Sequence, residues 1–153
     1  MRDAVRAVMD SVTDELIIAS TGTVSREVFH YMDRAENFYV MGSLGASLGI
    51  GLGLALNTDR RVVVIAGDGD ILMSLGTLVL MSRLKLKNLE LFIMDNGCYA
   101  STGCQPTCSS SVNFESIAQC KVFKVKPEKT DAPRVSLSPQ EIKERFRNAV
   151  NNT

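Results

Sequence analysis

The tract Arg61-Val62-Val63-Val64-Ile65-Ala66 runs without a break into Gly67-Asp68-Gly69-Asp70. A strand with one face in water alternates apolar and polar residues. This one does not, so it reads as a strand covered on both faces. Leu16-Ile17-Ile18-Ala19 before Ser20-Thr21-Gly22 has the same form, and Leu89 to Met94 is a further strand that ends at Asp95-Asn96-Gly97. Helical spacing fills the intervals. Arg2 to Val12 is a helix ended by Asp14-Glu15, and Ser25 caps a second helix that runs through Tyr31. Phe38 to Met41 is a further strand. Ser43 to Leu56 and Ile71 to about Leu84 are helices, the first with glycines that admit a close neighbour. This alternation predicts an α/β fold: a mainly parallel sheet with helices on both faces, joined by right-handed crossovers. Gly67-Asp68-Gly69 and Asp95-Asn96-Gly97 then lie at the carboxyl ends of adjacent strands, where open α/β sheets bind ligands.

Beyond Tyr99 the chain turns polar, with a turn at Pro106. A short helix from Phe114 to Gln119 and a strand from Val122 to Val125 follow. Lys126 to Ser136 is a proline-containing connector. Ser138-Pro139-Gln140-Glu141 opens a final helix with a capping box and proline at its first position. At 153 residues, one domain spanning 1–153 is the expectation. Seventeen basic and seventeen acidic residues cancel, which argues against nucleic acid as a partner. The basic run Lys121 to Lys129 reads as a solvated strand face. Phe38 to Leu56 carries no charge and spaces Gly45, Gly49 and Gly53 by four, as a membrane helix can. Its glycines and serines favour a buried helix instead, so no membrane is expected. The opening MRDAVRAVMD has acids among its basic residues and lacks the pattern of an export signal. Four cysteines without such a signal predict a reducing cytoplasm and no disulfide framework.

Gly67-Asp68-Gly69 stands where a strand turns into a helix, and free N–H groups there favour an anion such as a diphosphate. An acid aimed at a phosphate repels it unless a cation lies between. Mg²⁺ fits, since it takes hard oxygen ligands and shares phosphate oxygens. Asn96, 28 residues after Asp68, arrives at the next strand end with a second oxygen, and the Cys98 carbonyl adds a third. Two ordinary turns would be the plainer reading of either motif alone; both at this spacing favour a metal site.

Gly67-Asp68-Gly69 followed by Asn96 resembles the motif shared by thiamine-diphosphate enzymes. The resemblance implies that Asp68, Asn96 and the carbonyl of Cys98 bind Mg²⁺. Met41-Gly42-Ser43-Leu44-Gly45 looks like the segment that holds the aminopyrimidine ring, which implies that the Gly42 carbonyl accepts from its amino group and that Leu44 bends the cofactor. The candidate cofactor-binding residues are thus Gly42, Ser43, Leu44, Gly67, Asp68, Gly69, Asp70, Asn96, Cys98 and Tyr99. The stretch from Asn37 through Thr107 and the ending from Leu137 to Phe146 resemble the sulfopyruvate decarboxylase β-subunit family. The C-terminal half of phosphonopyruvate decarboxylases is similar. This likeness implies a lyase subunit that decarboxylates a small anionic 2-oxo acid. The foremost substrate is 3-sulfopyruvate, giving sulfoacetaldehyde and CO₂ for coenzyme M biosynthesis. Phosphonopyruvate, or a non-catalytic cofactor-binding remnant, is the alternative.

Three features depart from that pattern. Asp70 stands where relatives often carry Ser, and Cys104 where they often carry Asn. The Phe114–Gln119 segment runs almost directly into Cys120, where relatives carry a further helix and strand, so the chain looks shortened near its C-terminal end. His30 is the sole histidine and suits a surface role. Cys98, Cys104 and Cys108 match no common metal spacing and read as small loop residues. Glu115, Glu141 and Glu144 lie in no catalytic setting. Members of this superfamily take an activating Glu from a separate pyrimidine-binding domain, so no catalytic residue is expected in this chain. An α subunit carrying that domain is implied as its partner.

Overall fold

The computed structural model describes residues 1–151. In chain order, helix α1 (Arg2–Met9) precedes strand β1 (Leu16–Ala19). Then come α2 (Thr23–Tyr31), β2 (Asn37–Tyr39), α3 (Ser47–Ala55) and β3 (Val62–Gly67). The chain continues as α4 (Asp68–Met73), α5 (Leu75–Leu84), β4 (Leu89–Asp95), β5 (Cys98–Tyr99) and β6 (Gln105–Pro106). A 3₁₀ turn at Ser109–Ser111, α6 (Phe114–Ile117), β7 (Lys121–Lys124) and α7 (Pro139–Asn151) complete it. Five strands form one parallel sheet in the order β2-β1-β3-β4-β7. β5 and β6 make a separate antiparallel hairpin.

The uninterrupted apolar strands are explained by what covers them. Leu16, Ile18, Val62, Val64, Leu91 and Ile93 face one layer, packed by Leu48 and Leu52 of α3, Leu78 of α5 and Phe114 of α6. Ile17, Val63, Ile65, Phe92 and Met94 face the other, against Val5 and Met9 of α1, Val24 and Val28 of α2 and Ile142 of α7. Successive residues of each strand point to opposite faces, so both must be apolar. β3 is central, and its end pairs with that of β4 through Gly67 opposite Met94. That register sets the two acidic turns side by side.

Several boundaries move, each for a local reason. α1 stops at Met9, well before Asp14. Glu15 is no helix stop but a buried acid, held by Arg61 Nη1 at 2.7 Å and Thr13 N at 2.6 Å. Ser25 lies inside α2, whose cap position is Gly22; its hydroxyl donates to the Ala19 and Ser20 carbonyls and so closes the end of β1. The helix expected from Ser43 begins only at Ser47, because Gly42, Ser43 and Gly45 all adopt positive φ, which a right-handed helix excludes. The helix expected from Ile71 is two, broken at Ser74. The close approach in α3 is at Gly51, where a Cβ would lie 2.2 Å from Val64 Cγ2; Gly49 and Gly53 meet nothing within 4 Å. No helix among the described residues is long and apolar enough to cross a membrane. The capping box forms as drawn, with Ser138 N donating to Glu141 Oε2 at 2.7 Å and Glu141 N to Ser138 Oγ at 3.2 Å.

The basic run is not merely solvated. Lys124 Nζ pairs with the buried Asp95 carboxylate, and Lys121 lies over the Phe92 ring. A disulfide joins Cys98 and Cys104 across the β5–β6 hairpin, contrary to the expectation of plain loop cysteines. Hairpin pairing of Tyr99 with Gln105 brings the two thiols together, a proximity that sequence spacing does not reveal. Cys108 and Cys120 are free.

Candidate cofactor site

Gly67 ends β3 in extended geometry, and the next residue already belongs to α4. Asp68 is therefore both the last residue of the turn and the first of a helix, and it is only 2% exposed. Its Oδ1 accepts from Asn96 N at 3.4 Å, and its Oδ2 accepts from the Thr107 hydroxyl. Buried carboxylate oxygens need such partners, because burial of an unpaired charge is costly. Gly69 is required by its neighbour: a Cβ there would sit 2.5 Å from Tyr99 Cε1. The Tyr99 ring thus lies against the start of α4 and joins the two turns.

Asp95 organises the second turn. Its Oδ1 accepts from Gly97 N at 3.1 Å and Ser109 Oγ at 2.9 Å, while Oδ2 pairs with Lys124. Asn96 Oδ1 accepts from Cys98 N at 3.0 Å, and the Cys98 carbonyl accepts from Ala100 N at 3.1 Å. Thr107 N donates to the Gly97 carbonyl at 2.9 Å, which returns the loop to the strand end.

The segment at 41–46 is built differently. Met41, Gly42, Ser43 and Leu44 are all exposed, Leu44 by 43%. Gly42 N donates to Thr21 Oγ1 at 3.1 Å, and Gly45 N donates to Asp70 Oδ1 at 2.7 Å. Ser47 Oγ donates to Asp70 Oδ2. Asp70 is as buried as Asp68, but its carboxylate points toward this segment. Burial pushes the Asp70 carboxyl above its ordinary value, while the bonds from Ser47 and Gly45 oppose that shift.

One cleft of about 70 Å³ gathers Leu44, Gly67, Asp68, Gly69, Asp70, Asn96, Cys98 and Tyr99 from the sequence-derived set. Gly42 and Ser43 lie on the adjoining segment and outside its lining. Ser20, Thr21 and Thr107 were missed: Ser20 Oγ accepts from Gly67 N at 3.3 Å and Thr21 borders the same cleft. Their only sequence signal is a small hydroxyl residue just after a strand end or at the close of a polar loop. Sites that enclose a small molecule usually measure roughly 300 Å³ or more, so this cleft is one wall of a site. A larger groove of about 500 Å³ between α5 and α6, lined by Met81, Leu86, Leu89 and Ile117, brings no such oxygen donors to a strand end.

The donor set fits a hard divalent cation: a carboxylate and a side-chain amide oxygen arise from adjacent strand ends, with backbone carbonyls nearby. Gly67 leaves open space beside them, since a Cβ there would meet nothing within 4 Å. The Asn96 and Cys98 oxygens already accept bonds within their own loop, and each retains a lone pair for a further partner.

Residues 20–152 match the family described as "Thiamine pyrophosphate enzyme, C-terminal TPP binding domain". The chain is 34% identical to sulfopyruvate decarboxylase subunit beta of Methanococcus maripaludis, over 97% of this chain and 96% of that protein. That alignment runs over 177 positions against the 153 residues here, so it carries gaps in this chain. A sulfopyruvate decarboxylase of Methanosarcina acetivorans is 31% identical over 97% of this chain, which spans 46% of that protein. A phosphonopyruvate decarboxylase of Streptomyces viridochromogenes is 42% identical over 69% of this chain and 26% of its own length.

Proposed function

This chain belongs to the thiamine pyrophosphate enzymes, as a C-terminal TPP-binding domain, and from that premise we propose that it is the β subunit of a two-chain decarboxylase acting on 3-sulfopyruvate. The products are CO₂ and sulfoacetaldehyde, and the aldehyde feeds coenzyme M biosynthesis. The observation that carries the reading is the paired strand ends: the Asp68 carboxylate meets Asn96 N beside Gly67, whose Cβ position is open. When bound, thiamine diphosphate supplies the electron sink that lets a 2-oxo acid release CO₂.

In this reading the chain positions rather than reacts. Asp68, Asn96 and the Cys98 carbonyl hold Mg²⁺. The first residues of α4, with Gly69 among them, offer N–H groups to the diphosphate. Gly42 and Leu44, with Ser43 between them, meet the aminopyrimidine half, and Tyr99 braces the turn. The activating Glu comes from an α subunit with a pyrimidine-binding domain. The shallow cleft fits that division, as does a relative of which this chain spans less than half. The working unit on this side is the single domain 1–153, and its setting is the cytoplasm. Cys108 and Cys120 are free thiols, while the Cys98–Cys104 disulfide is one that a reducing compartment would tend to open.

Calorimetry of the co-expressed αβ complex with thiamine diphosphate and Mg²⁺ tests the core of this reading. Tight binding is expected, and no heat in any condition would sink the enzyme reading. Phosphonopyruvate is a second substrate candidate because a phosphonopyruvate decarboxylase matches two thirds of the chain at 42% identity. Steady-state kcat/KM with both acids separates them, and a higher value for sulfopyruvate is expected.

A further inference from the structure

Two acids of one turn, Asp68 and Asp70, are equally buried, and only Asp68 faces the second turn. Both oxygens of Asp70 are taken by the segment 45–47: Gly45 N at 2.7 Å on Oδ1 and the Ser47 hydroxyl on Oδ2. These bonds span 25 and 23 residues, and they join α4 to the start of α3. Gly45 adopts φ +95°, and a Cβ there would lie 2.9 Å from Met73 Cβ. The segment is thus pressed onto α4 at a place where only glycine fits, and Asp70 fixes the register of that contact. Upstream of Gly45 the chain is exposed, with one further anchor at Thr21.

Resting on the cofactor reading above, we propose that Asp70 is a positioning residue that couples the two halves of the cofactor site. It is not a diphosphate ligand. It ties the Gly42–Leu44 segment, which meets the aminopyrimidine, to the turn that holds the diphosphate, so that both ends of one cofactor are met at a fixed separation. The device works by geometry: any side chain that accepts from Gly45 N and bonds the Ser47 hydroxyl serves. An aspartate beside a diphosphate is tolerated because its two oxygens are turned toward donors of the protein.

The test uses the co-expressed αβ complex and two probes, thiamine diphosphate with Mg²⁺ and inorganic pyrophosphate with Mg²⁺, by calorimetry. Asp70→Ala removes both bonds and is expected to weaken thiamine diphosphate binding by about tenfold or more. Pyrophosphate affinity stays at the wild-type value, because the turn itself is intact. Asp70→Asn retains an acceptor for Gly45 N and a donor for the Ser47 hydroxyl, so it keeps wild-type affinity for both probes. Ser47→Ala removes one bond only, gives a smaller loss for thiamine diphosphate alone, and carries the test if Asp70→Ala does not fold. Asp70→Asn behaving like Asp70→Ala would show that charge matters and overturn the proposal. So would a parallel change in pyrophosphate affinity, or wild-type thiamine diphosphate binding by Asp70→Ala or Ser47→Ala. Wild-type complex that binds no thiamine diphosphate removes the functional reading itself, a result distinct from all of these.

Discussion

The turn at 67–70 and the segment at 41–46 border the same cleft, yet they are held in different ways. The turn grows out of the central strand of a two-faced core. Asp68 and Asp95 are buried there, each with partners from across the loop that follows β4. The segment is exposed, passes through three positive-φ residues, and hangs on Thr21 at one end and Asp70 at the other. One half of the site is therefore set by the sheet and forms whenever the fold forms. The other depends on a few hydrogen bonds and leaves Met41 and Leu44 bare to solvent or a partner. In the function proposed above, ligand grip belongs to the rigid half, and adjustment to the cofactor and a second subunit to the loose half.

Asp68→Ala strikes the rigid half hardest. It deletes the carboxylate that reaches from the first turn to the second and should lower Mg²⁺-dependent cofactor affinity and turnover by about a hundredfold or more. Calorimetry at varied Mg²⁺ checks this; full activity would remove Asp68 from the metal site. Gly69→Ala forces a methyl into the Tyr99 ring and should cost about 1–3 kcal/mol, read as a lower midpoint in thermal or urea unfolding. An unchanged midpoint would show that the ring swings away freely and braces nothing. Thr21→Val removes the acceptor for Gly42 N on the loose half. Cofactor affinity should fall a few-fold while the unfolding midpoint stays within about 0.5 kcal/mol of wild type, as for other exposed changes. A large loss of stability would mean that the segment is part of the core after all.

The smallest effect concerns the thiols. In denaturant without reductant two of the four cysteines should alkylate, and all four after reduction. In the native protein, the exposed Cys108 should react first. Burial, with help from Glu115, pushes the Cys120 thiol up to about 11, so it stays protonated near neutrality. Its labelling should be slow at pH 7 and quicken as pH rises toward that value, since the thiolate is the reactive form. Four labels without reductant would show Cys98 and Cys104 to be plain thiols.

What could be read in advance follows from range. Val62–Ala66 and Leu91–Met94 declare themselves because a strand covered on both faces must be apolar throughout, and that requirement is local. The Gly-Asp-Gly and Asp-Asn-Gly turns follow directly from where those strands end. The α4–α5 break at Ser74 was hidden because the apolar spacing continues through it. Thr107 was hidden because its hydroxyl meets Asp68 across 39 residues, in a loop whose composition announces only polarity.

By itself, then, the sequence determined the layered α/β architecture and the placing of two acidic turns side by side at the carboxyl end of the sheet, and it singled out Asp68 and Asn96 as candidate donors. The tertiary structure alone decided what each acid serves. Asp68 and Asp70 stand two residues apart, and the string does not show which way either carboxylate turns. The direction of their carboxylates depends on donors supplied by distant chain: Asn96 and Thr107 for one, Gly45 and Ser47 for the other. A buried charge takes its role from the groups that satisfy it, and those are fixed only when the chain has folded.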